Sequence, residues 1–141
     1  MIVKVAETEQ EKQHAFAVRK KVFVEEQRVP EEEELDQFDE TATHFVLYDK
    51  NLPAGAGRFR VKDGKGKIER VCVLSEYRGK NAGVMVMDAM ELFAREQSVL
   101  SLILNAQTHA LGFYEKLGYS VTSEEFLDAG IPHVTMEKIL S

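Results

Sequence analysis

The sequence predicts an α/β domain of the α+β kind: a mixed, mostly antiparallel central sheet flanked by about four helices and splayed where a ligand enters. Three observations predict it. Strand patterns linked by tight turns run in succession between residues 43 and 74, which is the signature of an antiparallel meander. The last of these strands leads through a basic, glycine-containing turn, Arg78-Gly79-Lys80-Asn81-Ala82-Gly83, straight into a segment of helical period. A further apolar strand, Val99 to Leu104, and a second helical segment complete the back half.

In chain order, Ile2, Val3 and Val5 make a first strand, and Thr8 with Glu11 has capping-box spacing for a helix. Ala15, Phe16, Val18, Val22 and Phe23 form its apolar side, with Arg19, Lys20 and Lys21 on a solvated face. The stretch from Val24 to Asp36 is dense in carboxylates; it reads as a helix end, a turn and a short acidic segment opened by Pro30. Thr43 to Tyr48 alternates as a strand, Asp49 to Pro53 is turn chemistry, and a second strand runs from Ala54 to Val61.

Asp63-Gly64-Lys65-Gly66 turns the chain into the central strand. A period of two there puts Lys67, Glu69, Val71 and Val73 on one face and Ile68, Arg70, Cys72 and Leu74 on the other. Val84, Met87, Met90, Phe93 and Ala94 stripe the following helix. The strand from Val99 ends in Asn105-Ala106-Gln107, and a helix from Thr108 is closed by Gly118. Residues 125–133 read as a loop, with a last strand from Val134 to Ile139.

At 141 residues the chain fits one domain, residues 1–141, with one core. A net charge of -6 argues against nucleic acid or an anionic membrane as the main partner, so the basic residues of the 78–83 turn are aimed locally at one ligand. Cys72 is the single cysteine, which rules out an internal disulfide and suits a reducing compartment. With no leader-like N-terminus and no membrane-length apolar run, the expected location is cytoplasmic.

A strand that opens through such a turn into a helix aims unpaired backbone N–H groups and the positive helix dipole at one point, which favours a phosphate. Arg78 and Lys80 add charge there. The turn lacks the Gly-Lys-Ser/Thr ending of a P-loop, and strands joined by hairpins disfavour a Rossmann unit. His14, His44 and His109 have no ligand spacing, so no metal site is expected.

Arg78 to Gly83, lying behind Val71-Cys72-Val73-Leu74, resembles the acetyl-CoA loop of the GNAT superfamily of N-acetyltransferases: Arg or Gln, two free positions, Gly, a free position, then Gly or Ala. Arg78 and Gly83 match; Asn81 stands at the first glycine, and Asn is the residue that best tolerates a left-handed backbone after Gly. Phe113-Tyr114-Glu115-Lys116-Leu117-Gly118-Tyr119 resembles the second signature of that family, where a tyrosine sits beside the coenzyme sulfur. Val22-Phe23-Val24-Glu25-Glu26-Gln27 with Val29-Pro30, and Gly130-Ile131-Pro132-His133 with Met136, are similar to a small bacterial branch, the YjcF-like and ElaA-like proteins.

The resemblance implies acetyl transfer from acetyl-CoA to the primary amine of a small-molecule or peptide acceptor by direct attack. Backbone groups of Val71, Cys72 and Val73 would pair with the pantetheine arm, and amides from Gly79 to Gly83, with Lys80, Asn81 and Ala82 between them, would take the pyrophosphate. Tyr114 would be the general acid. Three bases stay open: Glu69 first, His133 second, and a water relayed by Asn105 third. Glu69 equally fits a cross-strand ion pair with Arg58 or Arg60. Glu26 and His133 are candidate acceptor contacts, and Cys72 suits a packed small hydrophobe better than a nucleophile. The alternative is a GNAT-fold regulatory module that binds acetyl-CoA without transfer. The family often pairs through sheet edges, so a homodimer is a further expectation.

Overall fold

The structure, a computed structural model, describes residues 1–140. Strands β1 (Ile2–Val5), β2 (Thr43–Asp49), β3 (Leu52–Lys62), β4 (Lys65–Val73), β5 (Ser101–Gln107), β6 (Ser120–Val121), β7 (Phe126–Asp128) and β8 (Ile131–Ile139) form one sheet. Its order is β1-β2-β3-β4-β5-β8-β6, with β7 also paired to β8. The α-helices are α1 (Glu9–Arg19), α2 (Glu31–Glu34), α3 (Ala82–Glu96) and α4 (Leu111–Lys116). The expected class, meander and splay are all present.

Local chemistry accounts for the boundaries. Thr8 accepts from the Glu11 amide while Glu11 bonds back to the Thr8 amide, completing the capping box of α1. Asp63 and Gly64 both adopt positive φ, the two-residue turn whose twist suits a β3–β4 hairpin. Ala129 and Gly130 do the same between β7 and β8, in the segment expected as a loop. That hairpin lets β8 begin at Ile131 rather than Val134. The first helix also runs on as a π-helical turn, Lys20–Glu26, ending beside the acidic segment.

Two apolar layers cover the sheet. Phe45, Leu47, Phe59, Ile68 and Leu102 pack under Val86, Met87 and Met90 of α3. Val46, Tyr48, Ala56 and Cys72 pack under Ala15, Val18 and Val22 on the other face. The alternation expected for β4 breaks in the middle. Arg70 has φ 58, and between the pairs Arg58↔Glu69 and Ala56↔Cys72 the strand carries one residue more than β3. This is a bulge. It places Val71 and Val73 with Ile68 on the α3 side, away from the face that Glu69 shares with Arg58.

Beneath α1 lies a charge network that includes Arg19, which the helical period places on a solvated face. Arg19 is fully buried rather than solvated; it donates to Glu34 at 2.8 Å, to the Glu34 carbonyl at 3.0 Å and to Asp39 at 2.7 Å. Arg58, also buried, holds Asp36 at 2.7 Å, Asp39 at 2.9 Å and Glu69 at 2.8 Å. Removing one member of such a buried pair costs about 3–5 kcal/mol, because its partner is left charged without compensation. The network pins the acidic segment onto β3 and β4.

His44 sits in the same layer with a consequence for pH. Its Nε2 faces the Asp39 carbonyl at 2.8 Å and therefore carries the proton, leaving Nδ1 buried without a partner. Burial lowers the His44 pKa; the Asp39 carbonyl opposes that shift, and the Arg19 and Arg58 charges reinforce it. The folded state thus keeps His44 neutral, while the unfolded chain takes up a proton near an ordinary pKa of about 6.5, so stability falls as pH drops through that value. Thermal unfolding between pH 7.5 and 5.5, a range chosen to bracket roughly pH 6.5, is expected to show a Tm decline in the wild type that His44→Gln largely removes. An equal decline in the variant would contradict this assignment.

Candidate functional site

Strands β4 and β5 run parallel but pair only over Gly66–Ile68 with Leu102–Leu104. Beyond Ile68 they part, and the bulge at Arg70 marks the place. The edge of β4 from Glu69 to Val73 has no strand partner toward β5, so its backbone groups face the gap. A cleft of about 1230 Å³ opens there, walled by the acidic segment on one side and by α4 with the β7–β8 turn on the other.

One end of the cleft is the turn into α3. Gly79 has φ 78 and Asn81 φ 67, so Asn81 occupies the left-handed conformation for which the sequence suited it. No side chain caps α3, and the first intrahelical bond runs from Met85 N to the Asn81 carbonyl. The amides of Ala82, Gly83 and Val84 are consequently open for an anion. A Cβ on Gly83 would come within 3.1 Å of the Phe113 ring, so this glycine also serves the packing of α4 against α3. Among the described residues Lys80 forms no ion pair, and its amine lies 5.8 Å from the Tyr77 ring centroid. Arg78 is not free: its guanidinium grips both Glu26 carboxylate oxygens, at 2.7 and 2.8 Å, and its Nε donates to the Val73 carbonyl at 3.1 Å.

The candidate proton carriers line the same cleft in different states. Tyr114 is half-buried, meets Phe113 and Tyr119 edge-on, and its hydroxyl has no hydrogen-bond partner among the described residues. Burial pushes its pKa up to about 12. Burial likewise pushes the Cys72 thiol up to about 12, which keeps it protonated. Glu69 receives Arg58 at 2.8 Å and Arg60 at 2.8 Å, the ion pair that its sequence context allowed. Burial alone would raise its pKa, but the bond from Arg60 and the charge of Arg58 outweigh that and lower it.

His133 is buried and stacked on Phe126, with Nδ1 2.6 Å from the Ile131 carbonyl. Since a carbonyl only accepts, Nδ1 carries a proton, and in the neutral ring the lone pair is on Nε2. Asn105 accepts from Thr135 at 2.9 Å, leaving its amide N–H groups available. Glu26 lies at the mouth, its pKa lowered chiefly by Arg78. Sequence reasoning missed a side-chain chain across the gap: His109 donates to Gln107 at 2.5 Å and Gln107 to Gln27 at 2.7 Å. Gln and His at turn-like positions carry no pattern that would single them out.

Comparison with known proteins bears on this arrangement. The family model described as "Acetyltransferase (GNAT) domain" matches residues 5–140. YjcF of Bacillus subtilis, described as an uncharacterized N-acetyltransferase, is 51% identical over 95% of this chain and 96% of its own length. A Lactobacillus plantarum protein designated an N-acetyltransferase has the same fold at TM-score 0.91, 29% identity and full coverage of both chains. Escherichia coli ElaA superposes at TM-score 0.87 with 23% identity, over 98% of this chain and 99% of its own, a likeness of fold.

The state of Cys72 can be read directly with a thiol reagent. At pH 8, near the ordinary thiol pKa of about 8.5, labelling of the folded chain by a disulfide reagent is expected to run about a hundredfold or more slower than labelling in urea, since both thiolate fraction and access fall. Comparable rates in the two states would contradict a protonated, enclosed thiol.

Proposed function

Because the chain belongs to the GNAT acetyltransferase family, we propose that it transfers the acetyl group of acetyl-CoA to a primary amine by direct attack, residues 1–141 acting as one N-acetyltransferase domain. The observation that carries this reading is the meeting of an unpaired strand edge with uncapped helix amides at the parting of β4 and β5. The pantetheine arm adds to the β4 edge at Val71, Cys72 and Val73 as a further strand would, with Asn105 opposite. The diphosphate rests on the amides from Gly79 to Val84, with Lys80 as counter-charge.

In the transfer, the amine nitrogen forms the new bond to the acetyl carbon, the carbon–sulfur bond breaks, the nitrogen loses a proton and the sulfur gains one. Tyr114 supplies the sulfur's proton. A phenol near 12 would be a poor match for a solvated thiol of about 8.5, but loss of water raises a thiol as it raises the Tyr114 phenol. A coenzyme thiolate departing into the same enclosed space is raised in the same direction, which brings acid and leaving group together.

His133 takes the amine's proton at Nε2, and Glu69 serves instead to fix Arg58 and Arg60, since a carboxylate held low by two guanidiniums is a weak base. For the acceptor, the cations lining the cleft are already committed: Lys67 to Glu69, Arg70 to Asp36 and Arg78 to Glu26. Glu32, Glu33 and Asp128 line it without ion pairs among the described residues. That imbalance favours an amine bearing additional positive charge.

Single-turnover kinetics on an acceptor found by screening amines with radiolabelled acetyl-CoA tests these roles. Tyr114→Phe is expected to slow transfer by about 10²–10⁴-fold with little change in coenzyme Kd, and His133→Gln to slow it by about 10²-fold or more. A Tyr114→Phe variant of wild-type rate would return Tyr114 to packing; a full-rate His133→Gln would pass the base role to a water held by Asn105.

A further inference from the structure

Two adjacent residues, Glu26 and Gln27, span the gap that the parting strands leave. Glu26 ends the π-helical turn and grips Arg78, which follows β4; Gln27 holds Gln107, the last residue of β5. The two contacts bridge both arms of the splay at its mouth. They differ in kind. Gln27 to Gln107 is a neutral bond that any ligand charge leaves alone, whereas Glu26 to Arg78 is a bidentate ion pair located on the anion turn itself.

The guanidinium of Arg78 is fully engaged in this state, with Nη1 and Nη2 on the carboxylate and Nε on the Val73 carbonyl. A planar fork that accepts two carboxylate oxygens accepts two phosphate oxygens by the same geometry. Glu26 therefore stands where an anionic ligand's oxygens would stand. It also keeps Arg78 over the Val73 carbonyl, one of the groups proposed to receive the pantetheine arm. Both partners are nearly half exposed, at 44% and 45%, so the pair is open to water and weakly held.

We propose that Glu26 and Arg78 form an autoinhibitory clasp across the cleft, and that the coenzyme diphosphate enters by displacing Glu26 from Arg78. This rests on the reading that places the diphosphate at the 78–83 turn. Displacement leaves Glu26 as an unpaired carboxylate on the wall opposite α4, while Gln27 and Gln107 retain the wall in place. Free protein and coenzyme complex thus differ in which anion Arg78 holds, and the carboxylate is a built-in competitor that sets how tightly the coenzyme binds.

Calorimetry with coenzyme A separates the outcomes. Losing a competing exposed ion pair should tighten binding by about 2–5-fold in Glu26→Gln. Glu25→Gln removes the same charge one position away, from an exposed residue that makes no ion pair among the described residues, and should stay near wild type. Arg78→Met should weaken binding, and adding Glu26→Gln to it should bring no gain. Unchanged or weaker binding by Glu26→Gln, an equal gain from Glu25→Gln, or a gain that persists without Arg78 would each overturn the clasp. A wild-type chain that gives no binding heat would overturn the placement of the diphosphate, and the clasp with it.

Discussion

The fold depends on a set of arginines held under one face of the sheet. Arg58 joins Asp36, Asp39 and Glu69, Arg19 joins Glu34 and Asp39, and Arg70 reaches the Glu34 carbonyl at 3.1 Å and Asp36 at 3.3 Å. Such a network adds little net stability over an apolar core of the same shape, but it resists piecemeal loss because each removed partner strands a charge. Its effect here is positional. It fixes an acidic, otherwise soluble segment as a wall, and it holds Arg70 in a left-handed conformation that costs about 1–2 kcal/mol.

From that bulge the rest follows in sequence. One extra residue in β4 turns Val71 and Val73 toward α3 and ends the pairing with β5 at Ile68. The parted strands leave a backbone edge unpaired, and the helix that starts after the turn presents uncapped amides to the same space. Tyr114 from α4 and His133 from β8 line the cleft from the far side. Burial there raises the Tyr114 phenol, and under the proposed reaction it would raise a departing thiolate in the same direction. The Glu26–Arg78 pair then closes the entrance with a contact weak enough to yield.

The sequence carried the architecture well because its signals were local. Capping-box spacing, the Asp63-Gly64 turn and the helical stripe after Gly83 each depend on a few neighbouring residues, and each matched the fold. Asn81 was legible for the same reason, since the conformation it had to tolerate is set by its own side chain. What stayed hidden was long-range. Nothing near Arg19 indicates that it is buried against Glu34 and Asp39, because its partners lie on a different element. The bulge at Arg70 breaks the period-of-two reading without a Gly to announce it, and so Val71 was assigned to the face of Glu69. The preference for His133 over Glu69 as base likewise needed the structure, which put Arg58 and Arg60 on one carboxylate and the Ile131 carbonyl on Nδ1.

A crystal structure with coenzyme A bound is the most direct test of the account that the parted strands and the uncapped helix make one coenzyme site. The account predicts diphosphate oxygens on the amides between Gly79 and Val84, the pantetheine arm bonded to the β4 edge at Val71 and Val73, and Arg78 turned away from Glu26. Coenzyme bound elsewhere on the surface, or a gap closed by pairing of β4 with β5 beyond Ile68, would contradict it.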